Sequence, residues 1–327
     1  MRIFCRRLRI NKMKKILITG GGTGTAFSYV THIKKNWGDN VEIHVCDINE
    51  SKYITSALFS DYAHKVPYAN DENYKIAIAN IINQNNIDLV IPLLNAEVLQ
   101  ISRAREEGLI NKHVSFMFSL DIAAKICNDK KYAGDIMESV GIPVPKTWLN
   151  FSDLPGVLFC KPKDGFGSIN AKLIHKDEIK DEILDNAYIY QELLVKPEVT
   201  VDCFYDDKKD YIYVSCRERI EIKNGVCTKA RLFKDIDLEK IALNIARKIQ
   251  VRGGFCFQVM KAINTNQWKV IDLNMRLGAG TAISYAGGSD FFSATYALFL
   301  NEDYKQYLSN RKSGIVTRQY VEFLSHE

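Results

Sequence analysis

Asp272, Asn274 and Arg276 recur at every second position in Trp268-Lys269-Val270-Ile271-Asp272-Leu273-Asn274-Met275-Arg276. A strand over these residues sets all three on one face and turns Ile271 and Leu273 the other way, into a core. Just upstream, Gly254-Phe255-Cys256-Phe257-Gln258-Val259-Met260 reads as a second strand, with Asn264-Thr265-Asn266 as the turn between them. If those three residues form the loop, Ile263 pairs with Gln267, and counting back puts Gln258 opposite Asp272. One face then carries an amide, a carboxylate, a second amide and a guanidinium. Such a face suits magnesium with a polyphosphate, because magnesium takes hard oxygens from one or two side chains and completes its shell with phosphate oxygens and water. Arg276 can neutralise charge on a transferring phosphoryl group. The plain alternative is a solvated strand face with a local Asp–Arg pair. The Gly278-Ala279-Gly280 loop that follows, and Gln258 opposite, favour a site.

Two lysines belong with this face. Phe159-Cys160-Lys161-Pro162 ends an apolar strand in a cation, and the loop Lys163-Asp164-Gly165-Phe166-Gly167-Ser168 follows. A small loop with free amides can fold over phosphates, although an ordinary exposed hairpin has the same composition. Lys130 lies at a helix start in Asn128-Asp129-Lys130-Lys131-Tyr132. A cation there opposes the helix dipole, which hints at another role, unless Asp129 simply offsets it. Tyr190-Gln191-Glu192-Leu193-Leu194-Val195-Lys196-Pro197-Glu198-Val199-Thr200-Val201-Asp202 reads as strand, bend and strand. The first strand's edge could read an adenine through backbone groups, and Glu198 could accept bonds from ribose hydroxyls. Taken alone, a plain β-bend with exposed acids is the simpler reading.

Near the N-terminus, Ile16-Leu17-Ile18-Thr19-Gly20-Gly21-Gly22-Thr23-Gly24 is a glycine-rich turn between a strand and a helix. Backbone amides at such a turn can hold an anion, and Asp47 at the end of the next strand could hold a ribose. Together they suggest a nicotinamide-dependent oxidoreductase. The fingerprint is incomplete, since Thr25 or Phe27 stands where the third small glycine belongs, and no Gly-Lys-Ser/Thr follows. A tight turn lining a substrate cleft fits better. Arg217, Arg219, Lys229 and Arg231 cluster on two expected strands and could hold a carboxylate, and a solvated basic face is equally compatible.

Residues 14–120 alternate between strand and helix signals. Strands are expected at Lys15–Thr19, Val41–Cys46, Ile87–Pro92 and Val114–Phe118, and helices at Ala26–Asn36, Tyr74–Asn83 and Ala96–Glu106. Such alternation implies an α/β unit with an open parallel sheet and helices on both faces. The texture changes near Asp121. A helix over Asp129–Val140 stops at Gly141-Ile142-Pro143-Val144-Pro145. Strands then dominate, and the pattern predicts a mostly antiparallel α+β unit.

In this order and spacing, the pieces resemble the ATP-grasp superfamily. The similarity is greatest to the branch containing the synthetase halves of the carbamoyl-phosphate synthase large subunit and similar stand-alone carboxylate–amine ligases. It runs over nearly everything from Lys14 onward. The resemblance implies a Rossmann-like pre-ATP-grasp domain over residues 14–120, after a basic extension at 1–13. An ATP-grasp domain over 121–327 would follow, with a small nucleotide-clamping part at about 121–190 and a larger metal and catalytic part at about 191–327. It implies ATP and Mg2+ (or Mn2+) as cofactors and small-molecule carboxylate and amine substrates joined through an acyl phosphate, with ADP and phosphate released. Lys130 and Lys161 match the lysines on the ATP phosphates, and Gly165, Gly167 and Ser168 the phosphate-covering loop. Glu192 and Leu194 match the adenine-reading hinge, and Glu198 the ribose carboxylate. Gln258, Asp272 and Asn274 match the metal ligands, and Arg276 the catalytic arginine, with Lys161 sharing the catalytic role. Gly22, Glu97, Arg217 and Arg219 are the candidates for the acceptor-substrate site. The family's chief metal ligand is usually glutamate, here the shorter Asp272, and its usual proline is here Met275. Those departures are what a nucleotide-binding relative without turnover would rest on.

Composition agrees with a folded enzyme. The chain has 327 residues, 46% hydrophobic and 25% charged, enough for two or three packed units. No apolar run approaches the roughly 18 residues a membrane span needs. Arg2, Arg6, Arg7, Arg9, Lys12, Lys14 and Lys15 outweigh the whole formal net charge of +5, so the rest of the chain is slightly acidic. That basic head reads better as an extension ahead of Met13 than as a nucleic-acid or membrane binder, and neither partner is expected. Eight scattered cysteines with no C-x-x-C pair point to reduced thiols in a cytoplasmic protein. A homodimer is compatible with all of this.

Overall fold

The computed structural model describes residues 13–118, 120–148, 154–163, 170–179, 187–223 and 225–325. The first unit comprises β1 (Lys14–Ile18), α1 (Gly24–Trp37), β2 (Val41–Asp47), β3 (Tyr62–Lys65), α2 (Tyr74–Gln84), β4 (Leu89–Ile91) and α3 (Asn95–Glu106). Its strands lie in the order β3-β2-β1-β4, all parallel. Ile16, Leu17 and Ile18 are fully buried, as a strand covered on both faces requires. Thr23 caps α1 by accepting from the Ala26 N–H at 3.1 Å, and Gly38 ends the helix at φ 54°. The strand expected over Val114–Phe118 does not form as a strand. Its backbone makes one parallel bridge, Ser115 to Leu89, and one antiparallel bridge, Phe118 to Val251, so it links two units instead of extending the first. The edge strand β3 escapes the pattern because three of its four residues are exposed and no apolar run marks it.

Two helices, α4 (Leu120–Asn128) and α5 (Lys130–Glu138), lead into a small sheet of β5 (Thr147–Trp148), β6 (Val157–Pro162), β7 (Lys172–His175) and β8 (Tyr188–Gln191), ordered β5-β8-β6-β7. The large sheet is antiparallel. It holds β9 (Leu194–Asp206), β10 (Tyr211–Lys223), β11 (Val226–Phe233), then after α6 (Ile236–Ile249) β12 (Gly253–Ala262) and β13 (Trp268–Asn274), and after α7 (Thr281–Ala286) and α8 (Phe291–Leu300) a last strand β14 (Gly314–Thr317). The spatial order is β13-β12-β9-β10-β11-β14.

Alternation along β9 divides the two faces of this sheet. Val199, Val201 and Cys203 pack with Leu238, Ala242, Ile245 and Ile249 of α6. Phe204 points the other way and joins Phe291, Phe292 and Tyr296 of α8. Helix α8 is apolar around its whole circumference and is buried around it. It packs on the large sheet and shares one core with Ile16, Val30 and Ile43 of the first unit. Among the described residues, no helix is long and apolar enough to cross a membrane.

The β12–β13 hairpin differs from expectation in an instructive way. Its loop has four residues, closed by Ala262 N–H to Gln267 O at 2.9 Å, with Asn266 in the left-handed region at φ 53°. Near the turn the pairing is therefore one residue out, with Lys261 opposite Trp268 and Val259 opposite Val270. A bulge at Ile271 then restores the count, so Gln258 does stand opposite Asp272. Ile271 is only half-buried, where the simple alternation had set it in the core beside Leu273.

Candidate active site

The strand register assembles one polar face. Gln258 stands opposite Asp272 on β13 and Thr200 on β9, and Thr200 stands opposite Arg217 on β10. Directly opposed residues in an antiparallel sheet share a face, so these four form a row. The next row is Asn274, Cys256, Asp202 and Ser215. Asn274 Nδ2 donates to Asp272 Oδ2 at 2.7 Å. Among the described residues, no cluster of three histidine, cysteine or acidic side chains could hold a metal unaided. One carboxylate with two amide oxygens suits a hard cation that arrives with part of its shell supplied by phosphates.

Lysines converge on this face from the small sheet and from α5. The bulge leaves the Ile271 carbonyl free of the ladder, and Lys161 Nζ donates to it at 2.8 Å. Burial is the main reason that the Lys161 ammonium is pushed down to about 8, with Lys130 lowering it further and Asp272 opposing the shift. Lys130 begins α5, where Asp129 caps the helix by accepting from Lys131 N–H at 2.7 Å. Its own N–H donates to Lys163 O at 3.1 Å and its Nζ to Pro162 O at 3.3 Å, which brings the end of β6 against the start of α5. Between these elements runs a cleft of about 400 Å³ lined by Lys130, Lys146, Thr147, Gln191 and Lys269. Lys146, Gln191 and Lys269 are not among the residues expected from sequence: Lys146 directly precedes β5, whose two residues give no periodic signal, and Gln191 and Lys269 are polar residues of β8 and β13 that no motif singles out.

The remaining expected residues fall in different places. Glu192 accepts from Lys146 N–H at 2.6 Å and pairs with Lys269, two residues that line the cleft. Leu194 opens β9. Glu198 pairs with Arg219, so two residues assigned to different ligands hold one another. Gly165, Gly167 and Ser168 lie outside the described residues. Arg276 donates through Nη1 to Leu277 O at 3.2 Å, while its buried Nε has no partner among the described residues.

Of the four-cation cluster, Lys229 pairs with Glu221 and Arg231 with Glu218 at the surface. Arg217 is buried and forms a fork with buried Asp202, at 2.7 Å from Nε and 3.1 Å from Nη2. Thr281 and Ser284 donate to the same carboxylate at 2.9 and 2.7 Å, which anchors α7 on the sheet. A Cβ on Gly280 would lie 2.3 Å from Arg217 Nη1, so only glycine lets the loop pass. Asp202 carries no signal in sequence, because Arg217 reaches it from the neighbouring strand and Thr281 and Ser284 stand about eighty residues away.

In the first unit, the Gly22 N–H donates to Asp47 Oδ2 at 2.7 Å, while Asp47 Oδ1 accepts from Asn49 N–H at 3.0 Å and Nδ2 at 2.8 Å. Asp47 braces the glycine loop and is not presented to a ribose, which removes the basis of the nicotinamide reading. Glu97 is buried in the first turn of α3, accepting from Thr19 Oγ1 at 2.5 Å and Leu94 N–H at 3.2 Å. Burial raises its pKa to about 7 despite those bonds.

Comparison with known proteins agrees with this geometry. Residues 16–113 match the family described as the PylC-like N-terminal domain, and residues 185–322 the family described as ATP-grasp in the biosynthetic pathway with Ter operon. The chain is 24% identical to the 3-methyl-D-ornithine–L-lysine ligase of Methanosarcina acetivorans over 221 residues, or 65% of this chain and 57% of the ligase. It therefore spans little more than half of that relative's length. Among solved structures, the carboxyaminoimidazole ribonucleotide synthase of Aspergillus clavatus complexed with ATP superposes with a TM-score of 0.72 at 16% identity, covering 93% of this chain and 81% of that one. The biotin carboxylase of Campylobacter jejuni gives 0.69 at 14% identity, covering 92% and 74%. At such identities these two structures speak for the fold.

Proposed function

The chain is an ATP-grasp protein, and from that premise we propose that it is an ATP-dependent carboxylate–amine ligase. The observation that carries the reading is the shared face of Gln258, Asp272 and Asn274, with Lys161 bonded to the carbonyl beside Asp272 and Arg276 two residues beyond Asn274. ATP occupies the cleft between the small sheet and β13, its phosphates toward Lys130 and Lys161 and its adenosine toward Glu192, Leu194 and Glu198. Magnesium (or manganese) would be held by Asp272, Asn274 and Gln258, where it neutralises phosphate charge. A substrate carboxylate oxygen attacks the γ-phosphorus, ADP leaves, an amine attacks the acyl carbon, and phosphate leaves with one oxygen of the original carboxylate. Arg276 offsets the charge on the moving phosphoryl group, and no protein nucleophile takes part.

The proposal divides the chain into an extension at 1–13, an acceptor-shaping domain at 14–120 and an ATP-grasp domain at 121–327, the last split near residue 190. Gly22, Glu97, Arg217 and Arg219 border the acceptor side. A cytoplasmic setting fits the seven free cysteines of the described chain, and the assembly is a monomer or a homodimer. The test is a screen of acids and amines for ADP release, followed by an acid labelled with heavy oxygen. The label must reach released phosphate, and unlabelled phosphate refutes the acyl-phosphate route. Asp272→Asn and Arg276→Ala should each lower turnover by about 10²–10³ while ATP still binds Arg276→Ala within a few-fold.

A further inference from the structure

The ligand-facing side of the large sheet continues past the metal residues to the opposite edge. Arg217 stands opposite Leu232, and Leu232 opposite Gly314. Two residues along, Arg219 stands opposite Ala230, and Ala230 opposite Val316. Alternation from Gly314 and Val316 therefore sets Arg318 on the face that carries Asp272, Gln258 and Arg217. The Arg318 backbone N–H still reaches Thr228 O at 2.9 Å, so the strand geometry holds there.

The Arg318 side chain leaves the edge and spans the gap to the first unit. Its Nη1 donates to Ala279 O, in the loop just after Arg276, at 2.9 Å. Its Nη2 lies 3.6 Å from where a Cβ on Gly24 would stand, beside the glycine turn that opens α1. Beyond it the chain is pinned to the same place, with the Phe323 ring 5.5 Å from Phe27 and 5.4 Å from Phe59.

The charge balance at this point is incomplete. Among the described residues no carboxylate pairs with Arg318. Burial, and next the charge of Arg217, lower its pKa from the ordinary arginine value. Among the described residues of this face, Asp202 is already occupied by Arg217, Thr281 and Ser284, and Glu198 by Arg219. A half-buried cation beside a second cation is costly unless an anion completes the group. Gly22 and Gly24 on the facing turn are exposed and bring no side chain into the space.

We propose that Arg318 is a specificity-determining residue that receives a carboxylate of a substrate, other than the carboxylate that is phosphorylated. This rests on the ligase reading above. The planar fork of arginine suits two-pronged capture of a carboxylate. The ligand is an amino acid serving as the amine substrate or a dicarboxylic acid serving as the carboxylate substrate.

The experiment is calorimetry on the full chain with magnesium and a non-hydrolysable ATP analogue. The probes are the proteinogenic L-amino acids and the straight-chain diacids from malonate to adipate, each against its monoamide, in the parent, Arg318→Ala and Arg318→Lys. At least one acid is expected to bind the parent roughly tenfold or more tightly than its amide. Arg318→Ala should bring acid and amide level with nucleotide affinity unchanged, and Arg318→Lys should restore part of the gap. The series that responds identifies the source of the carboxylate. A gap that survives Arg318→Ala, equal binding of acid and amide in the parent, binding of none of the probes, or weakened nucleotide binding in a folded variant each overturns the inference. ADP release is followed alongside. Release by the parent with an unchanged acid preference in Arg318→Ala defeats this inference alone. An acid preference lost with Arg318, but no ADP release from any pair, defeats the ligase reading alone.

Discussion

Lys161 meets the nucleotide phosphates in the proposed reaction, yet burial and its neighbour Lys130 bring its pKa down to about 8. Phosphate binding needs the charged form. ATP affinity should therefore be level below about pH 7 and fall as pH rises past 8, by up to about tenfold per unit. Lys161→Arg should flatten the profile, since arginine stays charged, and a level profile in the parent up to about pH 9.5 refutes the assignment. The same shift sets a sign for stability. Its folded value lies below its unfolded one, so the charged lysine opposes folding in full below about pH 8, and the opposition fades as pH climbs toward the ordinary lysine range. Glu97 behaves in the reverse sense, being an acid raised to about 7. It favours the fold at low pH, and that contribution is lost as pH rises from its unfolded value through 7. Glu97→Gln should raise the melting temperature near pH 8 and change it little near pH 5, and equal shifts at both values would show that its ionisation is not what matters. The two-residue period that sets Asp272 and Asn274 on one face is a local fact and could be read in sequence, whereas Arg276 lies beyond the end of β13 at Asn274, and Gln258 falls opposite Asp272 only because the bulge offsets a loop one residue longer than expected. The acids that pair with Arg217 and Arg219 could not be read, since Asp202 and Glu198 reach them only across strands.

At the scale of elements, the βαβ alternation of the first unit and the hairpin of β12 and β13 could be read directly. The bulge could not, because it compensates a four-residue loop that the turn residues alone do not announce. Its use lies in the carbonyl it releases. Deleting Ile271 would make the pairing of Val270 with Val259 and of Asp272 with Gln258 consecutive, leaving the metal face in register while removing the acceptor of Lys161. The variant should fold by circular dichroism and bind ATP roughly tenfold more weakly, the scale of one charge-assisted hydrogen bond. Undiminished ATP binding in a folded deletion variant would show that the carbonyl does not place the lysine. Helix α4 also escaped the sequence reading, since its turns lie where the alternating pattern breaks off and no turn signal opens it.

At the scale of the molecule, the small sheet keeps its own core of Leu154, Leu158, Cys160, Ile174 and Tyr190, whereas the first unit and the large sheet share theirs. Helix α8 joins them. His32 Nδ1 lies 2.9 Å from Asp290 Oδ1, Asn36 Nδ2 donates to Ser293 Oγ at 2.8 Å, and Tyr29 and Trp37 meet Phe292 and Tyr296 edge-on with ring centres 4.8 Å apart. Phe292→Ala should cost about 3–5 kcal/mol and lower the unfolding temperature of both units together. Two separate calorimetric transitions, only one of them shifted, would contradict the shared core. The same helix bears on how this protein can be recombined. A chimaera that takes a foreign front sheet by crossing over near residue 120 would strand Tyr29, Val30 and Ile33 from their packing partners and leave Phe291, Phe292 and Tyr296 facing an unmatched surface. As an exchangeable part, the front sheet is made of two lengths of chain that are far apart in the gene, and a graft succeeds only if residues 290–308 travel with it.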